Sequence, residues 1–227
     1  MGTEHQIAAT LGSLLAREGK QLEGDTFIVG TVVPSVEEAL TRFAEVYLGV
    51  SPMSLTSGEE VGLPVDFSPP HGVGADRIAN ALGALAKEQP PFIVVDFGTA
   101  TTFDTVDHTG TYVGGAIYPG VLVSLEGLVA RAAKLPSFAL EAPEKAIGKT
   151  TVQSLQSGLM TGYAAAVDGI VRRISQELTG SVTVLSTGGL GSVFQDLCET
   201  IDYHDPDLTL DGLRIAASRI VNNRRSP

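Results

Sequence analysis

The chain has 227 residues, 43% hydrophobic and 18% charged, with a formal net charge of −11 and one cysteine, Cys198. That length holds one large or two small domains with a real core, and the acidic balance argues against nucleic-acid and anionic-membrane partners, which need a basic face. A lone cysteine excludes an internal disulfide framework and any multi-cysteine zinc site; with no signal peptide and no apolar run of ~18 residues, a cytoplasmic protein is expected.

Taken in chain order, Ile7, Leu11, Leu14 and Leu15 recur at helical spacing and predict a helix over 4–18. "DTFIVGTVVPS" (25–35) reads as a buried strand stopped by Pro34, and "VEEALTRFAEVYLG" (36–49) as a helix that Gly49 ends. Residues 55–73, rich in Gly, Pro and Ser, read as irregular. "GADRIANALGALAKE" (74–88) returns to helix, with Ile78, Leu82 and Leu85 on one face. Pro90-Pro91 then punctuates the chain and marks the expected domain boundary. Beyond it, "FIVVDFG" and "TTFDTVD" are strands, and "HTGTYVGGAIYPG" supplies a turn and a third strand, joined closely enough for antiparallel hairpins. A helix over about 120–133, a long helix over 150–178, the strand and glycine turn "SVTVLSTGG", then helix, short strand and terminal helix close the sequence. Antiparallel strands followed by alternating helix and strand predict a mixed α/β sheet with helices packed on it.

Three stretches carry chemistry. In "FIVVDFGTATTFDTVD" a buried strand ends on Asp96 and runs into a turn of small and hydroxyl residues. Gly98, Thr99, Thr101 and Thr102 offer backbone N–H groups and hydroxyls suited to phosphate oxygens, while the Asp96 carboxylate suits a cation that neutralises phosphate charge. The plainer reading is an ordinary hairpin whose aspartate bonds its own backbone. In "STGGLGS", Gly188-Gly189 follows a strand and precedes a helix, fit for packing on a nucleotide base or reaching phosphate; alone it is an ordinary strand-to-helix turn. In "GVGADR", Asp76 opens a helix, where a simple N-cap is the plain alternative. Together the three suggest a nucleotide-dependent phosphotransferase.

The ordered motifs "GADR", "VVDFGTATTFD", "GGAIYPG", "AKLP", "IGKTT", "QSG", "STGG" and "DPDLTLDGL" resemble those of the type III pantothenate kinases, over essentially the whole chain from residue 4 to about 214. The resemblance implies the actin-like ATPase superfamily, with two ribonuclease-H-like domains: 1–89, and 90–227, whose last helix packs back on the first. It implies a homodimer that phosphorylates pantothenate with ATP, the first step of coenzyme A synthesis, using potassium or ammonium, with magnesium arriving on ATP. By the same resemblance Asp76 is the catalytic acceptor of the substrate's hydroxyl proton. Gly74, Ala75, Asp76 and Arg77 line the pantothenate pocket, Arg77 facing the substrate carboxylate. Thr151 and the aromatic Phe67 also contact pantothenate. Asp96 holds the monovalent cation, and Thr99, Gly98, Gly188 and Gly189 serve ATP. Lys149 reads more simply as a solvated surface lysine.

The sequence departs from this pattern at one point. The family's opening strand ends in Asp-x-Gly-Asn-Thr, and no such motif occurs in the 227 residues. The first domain is therefore expected to lack its opening strands and to leave "FIVGTVVPS" with an open edge. Two explanations follow: a start downstream of those strands, preferred because "GADR" and "DFGTATT" are intact, or natural shortening. The alternative function is then an inactive relative acting as a regulatory or binding protein.

Overall fold

The structure, a computed structural model, describes residues 3–31, 33–131 and 138–225. Its centre is a five-stranded sheet of order β5-β4-β3-β6-β7, formed by β3 (Phe92–Phe97), β4 (Ala100–Val106), β5 (Tyr112–Pro119), β6 (Thr183–Thr187) and β7 (Tyr203–His204). The first three strands pair antiparallel through short turns, and β6 and β7 continue the sheet parallel to β3. An antiparallel hairpin pair extended by parallel strands is the mixed sheet expected from the order of the elements.

β3 is buried on both faces, as its unbroken Phe-Ile-Val-Val run requires for a central strand. Period 2 then sorts its side chains. Ile93, Val95 and Phe97 face the long helix α5 (Thr151–Ser175), among Met160, Tyr163 and Val167. Phe92 and Val94 face the other way, toward α3 (Ala75–Leu85) and α7 (Leu208–Arg225), with Ile78, Leu82 and Leu208.

α3 is covered all round: every residue from Arg77 to Ala84 is buried. Its small residues let α7 approach at backbone distance. A Cβ at Gly83 would lie 2.5 Å from the Leu208 carbonyl oxygen, and one at Gly212 would lie 1.8 Å from that of Ala79. The terminal helix is thus clamped onto α3.

The amino-terminal part departs most from the sequence reading. The strand expected over 25–35 is the two-residue β1 (Ile28–Val29), paired parallel with β2 (Met53–Ser54). Pro34 does not merely stop it: as the first residue of α2 (Pro34–Phe43) it starts the next helix, where its fixed φ fits and its missing N–H costs nothing. The helical pattern to Gly49 is completed by a π-turn over Ala44–Leu48, and Gly49 caps it in the left-handed region at φ 68°. Helix α1 (Glu4–Arg17) carries a reciprocal cap, Thr3 with Gln6. Beside β1 and α7 lies a hollow of about 630 Å³, lined by Phe27, Ile28, Leu213 and Val221 among others. Helix α4 (Val121–Arg131) occupies the described part of the span expected over 120–133; its last two residues and the "AKLP" motif lie outside the described residues. A five-residue helix, α6 (Gly191–Gln195), follows β6. Among the described residues no helix is long and apolar enough to cross a membrane.

Candidate active site

Asp96 is the penultimate residue of β3, on the sheet face turned toward α3. Among the described residues its side chain makes no hydrogen bond to its own backbone turn. Its Oδ2 accepts from Asn80 Nδ2 at 3.0 Å. Asn80 is fully buried, and its Oδ1 in turn accepts from Thr209 Oγ1 of α7 at 2.6 Å. Asp96 Oδ1 lies beneath the β6 turn: Gly188 sits at φ 88°, and a Cβ there would come within 2.5 Å of that oxygen. Only glycine permits both the left-handed turn and this approach.

Asp76 is the second residue of α3. Gly74 occupies the N-cap position, so Asp76 is not the cap; its Oδ1 accepts from the Arg77 backbone N–H at 2.8 Å and the residue stays exposed. The helix dipole favours a negative charge there. Asn80 lies four residues on, one turn along the same face. One helix therefore places Asp76 at the rim and Asn80 against Asp96. Burial pushes the Asp96 carboxyl above its ordinary value, and the charges of Asp104 and Asp76 push it the same way against the pull of the Asn80 bond.

A third carboxylate, which the motifs did not single out, sits behind them. Asp104, 0% exposed in the middle of β4, accepts from Arg77 Nε at 2.6 Å and Tyr112 OH at 3.0 Å on Oδ1, and from Thr102 Oγ1 at 3.0 Å on Oδ2. Burial pushes its carboxyl up, and Arg77, Tyr112 and Thr102 pull it back down. Three donors aimed at two oxygens suit the ionised form, so the pair stands as a buried salt bridge. Burial alone would lower the Arg77 guanidinium, but Asp104, with Tyr112 and Asp76, outweighs it and raises the group above its ordinary value. Arg77 also lies over the Tyr112 ring at 5.7 Å, and Phe67 meets that ring edge-on at 6.5 Å.

Gly74, Ala75, Asp76, Arg77, Phe67, Asp96 and Gly188 thus belong to one connected region. Gly98 and Thr99 are exposed in the β3–β4 turn beside it, and Gly189 is exposed next to Gly188. Thr101 faces the opposite side of the sheet, sharing a hydrogen bond of 2.7 Å with Tyr163 OH. Thr151 and Lys149 stand apart, exposed at the opening of α5. Neither makes a hydrogen bond or ion pair with α3 or β3 among the described residues, and the cap there is Thr150, which accepts from Gln153 N at 3.2 Å. Arg77's engagement with Asp104 leaves its terminal nitrogens, not Nε, as the atoms that can reach a substrate.

The sequence reading missed Asn80, Asp104, Tyr112 and Thr209. Two of them carried a signal. Asn80 stands at i+4 from Asp76, and Asp104 is a carboxylate set among buried positions of a strand.

A family profile described as type III pantothenate kinase matches residues 1–173. A type III pantothenate kinase of Desulfatibacillum aliphaticivorans is 42% identical over 225 residues, covering 97% of this chain and 87% of that protein. One from an Exiguobacterium strain is 46% identical over 200 residues, covering 88% and 78%. The chain belongs to the type III pantothenate kinase family. It is a kinase that uses ATP to phosphorylate pantothenate on the route to coenzyme A. Among solved structures, a Campylobacter jejuni protein described as a conserved putative Baf family transcriptional activator shares the fold, with a TM-score of 0.60, 19% identity, and coverage of 88% of this chain and 84% of that one. The pantothenate kinase fold here is mixed α/β, built on the five-stranded sheet described above.

Proposed function

We propose that phosphoryl transfer to pantothenate takes place between the opening of α3 and the turn after β3, with Asp76 as the base and Asp96 as the seat of a monovalent cation. The observation that supports this reading is the bridge from Asp76 through α3 and Asn80 to Asp96, which holds an exposed carboxylate and a half-buried one in one frame. Phosphoryl transfer needs positioned charge more than covalent chemistry. The ionised Asp76 orients the pantothenate hydroxyl and takes its proton as the new O–P bond forms and ADP departs. Arg77, pinned through Nε, directs its terminal nitrogens to the pantothenate carboxylate, and Phe67 walls the pocket. Gly98, Thr99, Gly188 and Gly189 bring backbone and hydroxyl donors to the ATP phosphates. Thr151 is assigned to pantothenate by the family resemblance alone, because it stands apart from α3 and β3 at the α5 opening.

Asp76, Asp96 and Asp104 set three carboxylates against one arginine, an unfavourable field for a triphosphate. A potassium or ammonium ion at Asp96 supplies positive charge there and offsets the burial and the Asp104 and Asp76 charges that raise the Asp96 carboxyl. Magnesium arrives with ATP. The enzyme acts in the cytoplasm as a homodimer, with residues 1–89 and 90–227 as its two lobes. The dimer reading is supported by an exposed apolar surface on α4 and the edge strand β5, comprising Ile117, Leu122, Val123, Leu128 and Val129.

The test is a coupled assay of ADP release with and without pantothenate, run in potassium and again in sodium. Pantothenate-dependent release that drops sharply in sodium is expected. Equal rates in both salts would remove the cation from Asp96, and no pantothenate-dependent release would favour a regulatory protein.

A further inference from the structure

Thr187 ends β6, immediately before the glycine turn. It is 1% exposed, and its Oγ1 is one of two buried side-chain polar atoms among the described residues that lack a hydrogen-bond partner. A buried hydroxyl left unpaired costs about 1–3 kcal/mol, so at a ligand site it points to a partner that arrives from outside.

Its position says which partner. Asp96 is in register with Thr187 on one side and with Thr102 on the other, so the three side chains emerge in a row on the same face of the sheet. Thr102 spends its hydroxyl on Asp104 at 3.0 Å. Of the two hydroxyls flanking Asp96, Thr187's is the unspent one. Among the described residues no group of three or more His, Cys, Asp or Glu side chains could hold a metal ion. An ion at Asp96 must therefore complete its shell with neutral hydroxyl, carbonyl or phosphate oxygens, a donor set that suits a large monovalent cation.

We infer that the Thr187 hydroxyl oxygen is a second protein ligand, beside the Asp96 carboxylate, for that monovalent cation. The inference rests on the reading of Asp96 given above. In this arrangement one strand supplies the charge, its parallel neighbour supplies a neutral oxygen, and the Gly188 turn closes over both.

The experiment titrates potassium into the protein and its Thr187→Val and Thr187→Ser variants, following melting temperature and pantothenate-dependent ADP release. Thr187→Val keeps the shape and removes the unpaired oxygen, so in potassium-free buffer it melts no lower than the parent. It requires about tenfold more potassium for half-maximal effect in both readouts, the equivalent of one lost contact to a charge. Thr187→Ser stays close to the parent. Identical potassium dependence in the parent and Thr187→Val overturns the role of Thr187 alone. Unchanged potassium dependence with a raised KM for ATP assigns the hydroxyl to phosphate and also overturns it. A parent with no potassium response in either readout removes the cation from Asp96, and this inference with it.

Discussion

Asp104 carries no chemistry of its own in this account, yet the site's geometry hangs on it. It ties β4 to α3 through Arg77 and to β5 through Tyr112. Asp104→Ala would leave the Arg77 guanidinium buried without its counter-charge, a change that typically costs about 3–5 kcal/mol. Urea denaturation should register the loss. Asp76 behaves differently, because it is exposed and, among the described residues, bonded only to its neighbour's N–H. Asp76→Asn should leave the melting temperature unchanged while kcat falls by at least about a hundredfold. For Asp96 the sign follows from its raised carboxyl. Between the ordinary carboxylate value and the raised folded one, the folded state binds more protons than the unfolded state, so this group's contribution to stability declines as pH rises through that interval. Asp96→Asn removes the cost. Thermal melts should show the variant above the parent at pH 8, with the gap closing as pH is lowered toward 4. Asp76 and Asp96 were legible in the sequence because each interrupts a pattern, one at a helix opening and one at a strand end. Thr187 and Thr209 were not, since a threonine near an element's end has many plain uses and only tertiary neighbours distinguish them.

At the scale of elements, the contact between α3 and α7 does the positioning. Gly83 and Gly212 let the helices meet at backbone distance, and that meeting brings Thr209 to Asn80 and Asn80 to Asp96. Gly212→Ala would place a methyl group 1.8 Å from the Ala79 carbonyl oxygen and force the helices apart. We expect a loss of about 1–3 kcal/mol in chemical denaturation, with a weakened potassium response because the Thr209 bond is strained with it. The β3–β4–β5 hairpins were readable from short turns and alternation, and α5 from its length. β1 was not: eleven apolar-rich residues promised a strand, but pairing neighbours decide strand length, and only β2 pairs with it among the described residues. The closure of α7 on α3 was expected only by resemblance, because helix periodicity names a buried face without naming what covers it.

For the whole molecule, the exposed apolar residues lie on α4 and on the edge strand β5, where Ile117 is 66% exposed and Leu122 on α4 50%. Sedimentation should give twice the 23.6 kDa chain mass, and Leu122→Glu with Leu128→Glu should return it to the monomer. The central claim is narrower: one helix sets a base and a cation-binding acid in a single frame that moves phosphate from ATP to pantothenate. Mass-spectrometric detection of phosphopantothenate made from ATP in potassium buffer, by the parent and by Asp76→Asn at matched folding, tests it most directly. The account predicts product from the parent and essentially none from the variant, with ATP binding retained in both. Equal product from the two would contradict it.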